Sequence, residues 1–246
     1  MEELELFKKK ADSYIEKAYD GGVSLSMFLD EPGLAVLEER LRKHPAVEAR
    51  YEGGFLPSDR IRAMICPAGY PEQDFKITVF RINYNKRFYS VNHRSILGAL
   101  MSLGIKRECI GDIVITEEGD AYFACVREMS RYISDNLHSI GSAFVELEET
   151  REEIRQRIRY EEKVYFVSSL RLDAVIAAAY GLSRKEALQM IADGMVFIRH
   201  LGIQNPSHTV KLDDEISVRH KGRFRLQTVG GASKSGRIAI TLAKRV

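Results

Sequence analysis

Leu4, Phe7, Ala11, Ile15 and Ala18 recur three or four residues apart with charged residues between them, which predicts an amphipathic helix ending near Gly21-Gly22. A second helical face follows in Leu34, Leu37 and Leu41, with Pro32 near its start and Pro45 just beyond its end. From Tyr51 the period changes from helical to alternating. Ile61, Ala63 and Ile65 oppose Arg60, Arg62 and Met64 in a predicted strand. Strands are then predicted at Phe75 to Ile82, Asp112 to Thr116, Ala121 to Val126 and Ala143 to Leu147. Helices fall between them at Arg94 to Leu103 and Arg127 to Leu137. That order is β-α-β-β-α-β, the split unit of ferredoxin-like folds. Thr150 to Glu162 is dense in Arg and Glu with scattered apolar residues, and reads as a charged connecting helix or linker.

Beyond it, Leu172, Val175, Ile176 and Ala179 mark one helical face closed by Gly181. Ser183 and Glu186 form an S-x-x-E capping box for a second short helix that buries Ala187, Met190 and Ile191 and stops at Gly194. Strands are predicted at Arg223 to Val229 and Arg237 to Leu242, joined by a flexible Gly230-to-Gly236 loop. The expected class is therefore α+β. Residues 1–72 form a helical region with a small strand pair, 73–150 the ferredoxin-like, RRM-like domain, 151–162 the linker and 163–246 the C-terminal domain.

Charge changes this picture, because the net +2 of the 246 residues is unevenly spread. Residues 163–246 carry 14 Lys plus Arg against 6 Asp plus Glu, whereas the preceding part carries 23 against 29. The C-terminal third has the footprint of a polyanion binder. Cys66, Cys109 and Cys125 are far apart and show no C-x-x-C spacing, so neither a zinc site nor a disulfide framework is indicated and a reducing cytoplasm is expected. An acidic N-terminus and the lack of a run of about 18 apolar residues argue against a signal peptide and membrane insertion. The histidines are dispersed and no cofactor or metal is expected.

The C-terminal pattern resembles the S-four domain, the RNA-binding module also called the alpha-L motif. The resemblance rests on Arg171-Leu172-Asp173, Ser183-Arg184, Ala187, Gly194, Val196 and Ile198, then Pro206-Ser207, Val210 and Asp214 to Val218. Many members place Asn-Gly in the turn where this chain has Arg199-His200. Asn92 to Leu100, Gly104 to Arg107 and Ile110 to Ile113 extend the likeness to the YlmH family of bacterial S-four proteins, over essentially the whole chain. This resemblance implies a ribosome-associated factor linked to quality control of obstructed large subunits carrying peptidyl-tRNA. It also implies a gene neighbourhood tied to cell division, whose proteins are further candidate partners.

The candidate RNA contacts begin with Arg171, Arg184 and Lys185, expected to share one exposed rim that grips phosphates. A second cluster comprises Arg219, Lys221, Arg223 and Arg225. Arg199, Lys211, Lys234 and Arg237 complete the basic surface. His93, Arg94, Lys106 and Arg107 are candidates either for a second RNA surface or for a structural role in placing the helix and its turn, with Tyr122 of the AYFACV strand as a base-stacking candidate beside Phe123.

Competing chemistries weigh less. Pseudouridine synthases use the Asp of an Arg-Leu-Asp triplet, but here Ala174-Val175-Ile176 follows inside the helix, and Asp173 suits the positive helix end. Gly230 to Gly236 fails the phosphate-loop spacing, because Ser233 precedes Lys234. A DNA-reading helix-turn-helix is disfavoured by the immediate continuation into strands and the lack of Asn or Gln near the second helix's start. The expected function is that of a non-enzymatic protein docking ribosomal RNA and/or tRNA. An RNA-modifying enzyme and a cell-division scaffold are the alternatives.

Overall fold

The structure, a computed structural model, describes residues 2–156, 159–198, 201–232 and 236–245. The chain forms two compact units, Met1–Arg157 and Ile158–Val246. No helix among the described residues is long and apolar enough to cross a membrane.

The first unit opens with α1 (Glu2–Tyr19), β1 (Ser24–Leu29), α2 (Glu31–Leu41), β2 (Val47–Glu52) and β3 (Ile61–Pro67). The strands pair in the order β1-β3-β2, and Ala11, Ile15 and Ala18 of α1 pack with Leu37 of α2 against Ala63 and Ile65. Asp30 caps α2 by accepting from the Gly33 N–H at 3.1 Å. The SLSMFL strand was missed in the sequence, because it lies between two helices and alternates only weakly. Arg62 and Met64, on the strand face opposite Ala63 and Ile65, are buried as well; Arg62 is 3 % exposed. The guanidinium offsets its desolvation by donating to the carbonyls of Ser26, Phe75 and Lys76 at 2.7–3.0 Å.

The central elements are β4 (Ile77–Tyr84), α3 (His93–Ser102), β5 (Ile110–Ile115), β6 (Ala121–Val126), α4 (Arg127–Asn136), β7 (Ser139–Ile140) and β8 (Ala143–Thr150). Their sheet order, β5-β6-β4-β8-β7, places the four main strands of the β-α-β-β-α-β run with the first and third at the centre. One face, with Phe80, Ile82 and Phe123, packs under Ile96 and Leu100 of α3 and Ile133 of α4. On the opposite face, Val114, Tyr122, Ala124 and Val126 cluster with Phe28, Phe55 and Ile154. The N-terminal layer therefore covers part of the sheet face that carries the base-stacking candidate Tyr122, and residues 1–72 and 73–150 belong to one compact unit.

Polar clips reinforce this layer. The Asp112 carboxylate on β5 accepts the N–H groups of Asp59 at 2.6 Å and Arg60 at 3.2 Å. Arg60 donates in turn to the carbonyls of Ile110 and Phe28. The stretch 151–162, expected as a charged connecting helix or linker, contains no helix among its described residues. Ile154 is buried, the Leu56 N–H donates to its carbonyl and the Gln156 N–H donates to Leu56. Residues from Tyr160 onward are already strand.

The second unit comprises β9 (Tyr160–Val167), α5 (Leu172–Tyr180), α6 (Arg184–Ala192), β10 (Val196–Ile198), β11 (Leu201–Gly202), β12 (Glu215–Val218), β13 (Gly222–Ala232) and β14 (Ile238–Arg245). Its sheet runs β11-β10-β12-β13-β14-β9, all neighbours antiparallel. Both helices pack on one face, where Val175, Ile176, Ala187 and Ile191 meet Phe224, Leu226, Ile240 and Leu242. Gly181 ends α5 at φ +63°, the left-handed cap its position predicted.

Gly111 gives the layered unit a sharp test. A Cβ there would lie 2.8 Å from the Phe28 ring and 3.0 Å from the Ala124 side chain, both buried. Gly111→Ala is expected to destabilise the first unit by ~1–3 kcal/mol through overpacking. In thermal unfolding its transition should fall by about 2–4 °C per kcal/mol while the C-terminal unit is unaffected.

Candidate nucleic-acid interface

The C-terminal unit brings Arg171 and Arg184 to one carboxylate. Arg171 is the N-cap residue of α5 and Arg184 the first residue of α6, while Asp173, in the first turn of α5, is 1 % exposed. Arg171 Nε donates to Asp173 Oδ1 at 3.2 Å and its NH2 to Oδ2 at 3.3 Å, and Arg184 NH2 donates to Oδ2 at 2.5 Å. The two arginine side chains keep 43 % and 46 % exposure, and each guanidinium has donors beyond those that Asp173 accepts. Burial alone would raise the Asp173 carboxyl, but the hydrogen bonds and charges of Arg171 and Arg184 outweigh it and hold the group below the usual range.

The surrounding backbone fixes the start of α5. Leu172 N–H donates to the His208 carbonyl at 2.8 Å, Val210 N–H to Leu170, and Arg171 bridges Thr209. α6 begins with the predicted capping box: Ser183 Oγ accepts from Glu186 N–H, and Glu186 Oε2 accepts from Ser183 N–H at 2.7 Å. Lys185, next in that first turn, is exposed. Asp173, which had been expected only to complement the helix dipole, thus joins two of the three cations foreseen for the rim, Arg171 and Arg184. Its link to Arg184, eleven residues on, has no local signature in the sequence.

The second cluster divides differently. Phe224 and Leu226 point into the helix-covered core, so strand alternation sends Arg223 and Arg225 to the opposite face of the sheet. There both approach Glu215, at 3.8 and 3.6 Å, and Arg225 lies 5.7 Å from the Tyr160 ring centroid. These two arginines cannot extend the Arg171–Arg184 rim across a single surface. Arg219, Lys211, Lys221 and Arg237 are exposed, and the turn placing Lys211 is held by the buried Asp214, which accepts the Lys211 N–H at 2.8 Å. Arg199 and Lys234 lie outside the described residues.

In the first unit the expected second surface is reduced. Tyr122 is 6 % exposed and packed in the cluster that includes Phe28 and Phe55, so it presents no ring face to a base. Phe123 faces the helices. Arg107 donates to the carbonyls of Ile110 at 2.6 Å and Gly111 at 3.2 Å; burial, aided by the charge of Arg60, pushes its guanidinium down to about 10. Its geometry is that of a buttress for β5. Arg94 and Lys106 are exposed, as is the surface of His93 at the start of α3, whose imidazole is lowered by partial desolvation of its ring and by the nearby Arg107 charge. Asn92 and Ser95 cap that helix reciprocally, which explains part of the motif structurally.

The fold and this geometry define a mixed α/β protein of two units, the second displaying two guanidinium groups on a shared buried carboxylate. A family described as "Putative RNA-binding domain in YlmH" matches residues 71–153. The "Ribosome-associated protein quality control protein P2" of Bacillus subtilis (strain 168) is 30 % identical over 251 residues, spanning 97 % of each chain. A solved structure, "Cell division protein ylmH from Streptococcus pneumoniae", is similar with a TM-score of 0.51 and 27 % identity, covering 60 % of this chain and 91 % of that one. The chain belongs to the YlmH family.

The depressed Asp173 carboxyl makes a signed prediction. A folded-state value below the unfolded one contributes stability that is present above the unfolded carboxyl pKa, about 3.9, and is lost as pH falls through the folded value. Asp173→Asn is expected to cost ~1–3 kcal/mol at pH 7. Urea unfolding of the full chain should show the gap between wild type and variant narrowing as pH falls below the unfolded carboxyl value and closing as the native carboxyl takes up its proton.

Proposed function

We propose that this chain is a non-enzymatic RNA-binding protein that docks ribosomal RNA and/or tRNA, with Ile158–Val246 as an S-four domain and the β4-to-β8 region as a ferredoxin-like one. In this reading it works in ribosome-associated quality control on obstructed large subunits that carry peptidyl-tRNA. The observation that carries the proposal is the pair of half-exposed guanidiniums, Arg171 and Arg184, set by one buried carboxylate. Planar forks held in place lose little entropy on meeting a phosphate. Arg184 and Lys185 moreover occupy the first turn of α6, where cations oppose the positive helix end by about 0.3–1 kcal/mol each. A bound polyanion reverses the sign of that cost.

The names of the family description and of the Bacillus subtilis relative support the RNA and ribosome parts of the reading. Its non-enzymatic part is supported by the state of Asp173, buried and already accepting from two arginines, which leaves it poorly placed to attack or deprotonate a substrate. With the sheet face near Tyr122 covered, the first unit's contribution to RNA contact rests on Arg94 and Lys106.

Two variants separate charge from geometry. Lys185→Gln should lower the slope of log affinity against log salt by about one. Arg171→Lys with Arg184→Lys keeps the charge beside Asp173 but removes the forks. RNA affinity should fall about tenfold, ~1.4 kcal/mol, with an almost unchanged salt slope. Wild-type affinity and slope in both folded variants would reject this interface. Co-sedimentation of the same proteins with large subunits, carrying peptidyl-tRNA or empty, tests the ribosomal part; indifference to peptidyl-tRNA in the wild type would contradict it.

A further inference from the structure

A concavity of the C-terminal unit, about 560 Å³, lies near the other end of α5 from the Arg171–Arg184 rim. Ala178 to Gly181 supply one wall, β9 supplies Glu161, Lys163 and Tyr165, the turn after β12 supplies His220 and Lys221, and β14 supplies Lys244. The volume falls in the range of small-molecule sites, roughly 300–1,000 Å³.

Two rings orient the lysines. Lys244 Nζ sits 4.9 Å from the centroid of the Tyr180 ring and Lys163 Nζ 5.8 Å from that of Tyr165. Tyr180 is held by its hydroxyl, which donates to the Gly222 carbonyl at 2.8 Å, and by edge contact with the buried Phe224 ring. Lys163, Lys221 and Lys244 form no ion pair with a carboxylate among the described residues.

Lysines near a helix C-terminus have an ordinary purpose, the neutralisation of its carbonyls. The magnitudes exceed that need. The helix end carries about half a negative charge, Glu161 adds one and Glu186, whose carboxyl is lowered in part by the Lys221 charge, adds another, so three lysines still leave a surplus of roughly +0.5. Gly181 and Leu182 N–H groups already satisfy the Ala177 carbonyl. What remains is a cationic rim over an aromatic and alanine wall, a combination suited to a planar base attached to a phosphate.

We infer that this concavity is a nucleotide-binding site, which takes the base and phosphate of one nucleotide. The source is a nucleotide of bound RNA or a free one. The first case rests on the RNA-binding reading given above and extends it: α5 is nine residues long, about 13 Å, so a strand gripped at Arg171 and Arg184 could continue to this site.

The test uses the full-length protein, a labelled single-stranded oligoribonucleotide and AMP as probes. The first variant is Lys163→Gln with Lys244→Gln; the second, Lys163→Gln with Lys221→Gln, changes only exposed side chains and guards against misfolding of the first. A roughly tenfold loss of oligonucleotide affinity, with the salt slope reduced by about two, supports the site with RNA as source. AMP binding by the wild type that both variants lose, with RNA affinity unchanged, supports it with a free nucleotide as source. Folded variants that keep wild-type RNA affinity, alongside no AMP binding in the wild type, overturn it. Lys185→Gln, measured in parallel, separates the two failures: a reduced slope there with intact pocket variants sinks this site and leaves the RNA-binding reading standing.

Discussion

A carboxylate taken out of water costs several kcal/mol unless charges and hydrogen bonds replace its hydration, and Asp173 meets that requirement with two arginines from different helices. The consequence reaches beyond one contact. Arg171 precedes α5 and Arg184 begins α6, so satisfying Asp173 sets the relative placement of the two helix starts and leaves both guanidiniums facing outward. Ala187 and Ile191 of α6 then meet Val175 and Ile176 of α5 in a core closed below by Phe224 and Leu226. Packing stabilises the unit, but the buried charge selects which surface it displays.

The first unit obeys a different constraint, the covering of two faces of one sheet. Phe80 and Phe123 stack 5.3 Å apart beneath the helices, whereas Tyr122 and Val114 need a second apolar layer on the other side. Phe28 and Phe55 supply it. Close approach is possible there because Gly111 has no side chain and Asp112 clips the 59–60 backbone to β5. The Ile110-Gly111-Asp112 run, together with Arg107, is thereby accounted for as the joint between layers.

Elements with strong local signals were legible in the sequence. Gly181, Ser183 and Glu186 announced the boundary between α5 and α6, and the hairpin of β13 and β14 followed from alternation. Features that depend on distant pairing were not. Arg62 looks like a solvent-facing strand residue until the carbonyls of Phe75 and Lys76 converge on it. Glu161 and Glu162 read as linker because their burial pattern is polar, yet register pairs them with Lys244 and Ala243 in an edge strand. Tyr122 looked available because nothing local reveals that the chain's first strands lie over its sheet. Likewise, Arg223 and Arg225 belong to the basic stretch in sequence but to the far face of the sheet in space.

Charge distribution then limits how the two units divide the work proposed for them. Residues 1–162 carry 23 Lys plus Arg against 29 Asp plus Glu, so long-range attraction to a polyanion does not arise from this part of the chain. Its exposed Glu146, Glu148 and Glu149 on β8 add local repulsion. In the proposed reading, an RNA contact through Arg94 and Lys106 would be short-ranged and would follow capture by the basic unit. A weak second contact in the same chain gains from the effective concentration that capture provides, and loses that gain when the RNA geometry does not match. Such an order of events would put affinity in the C-terminal unit and discrimination in the layered one, a division that the sign of each unit's charge favours before any base is read.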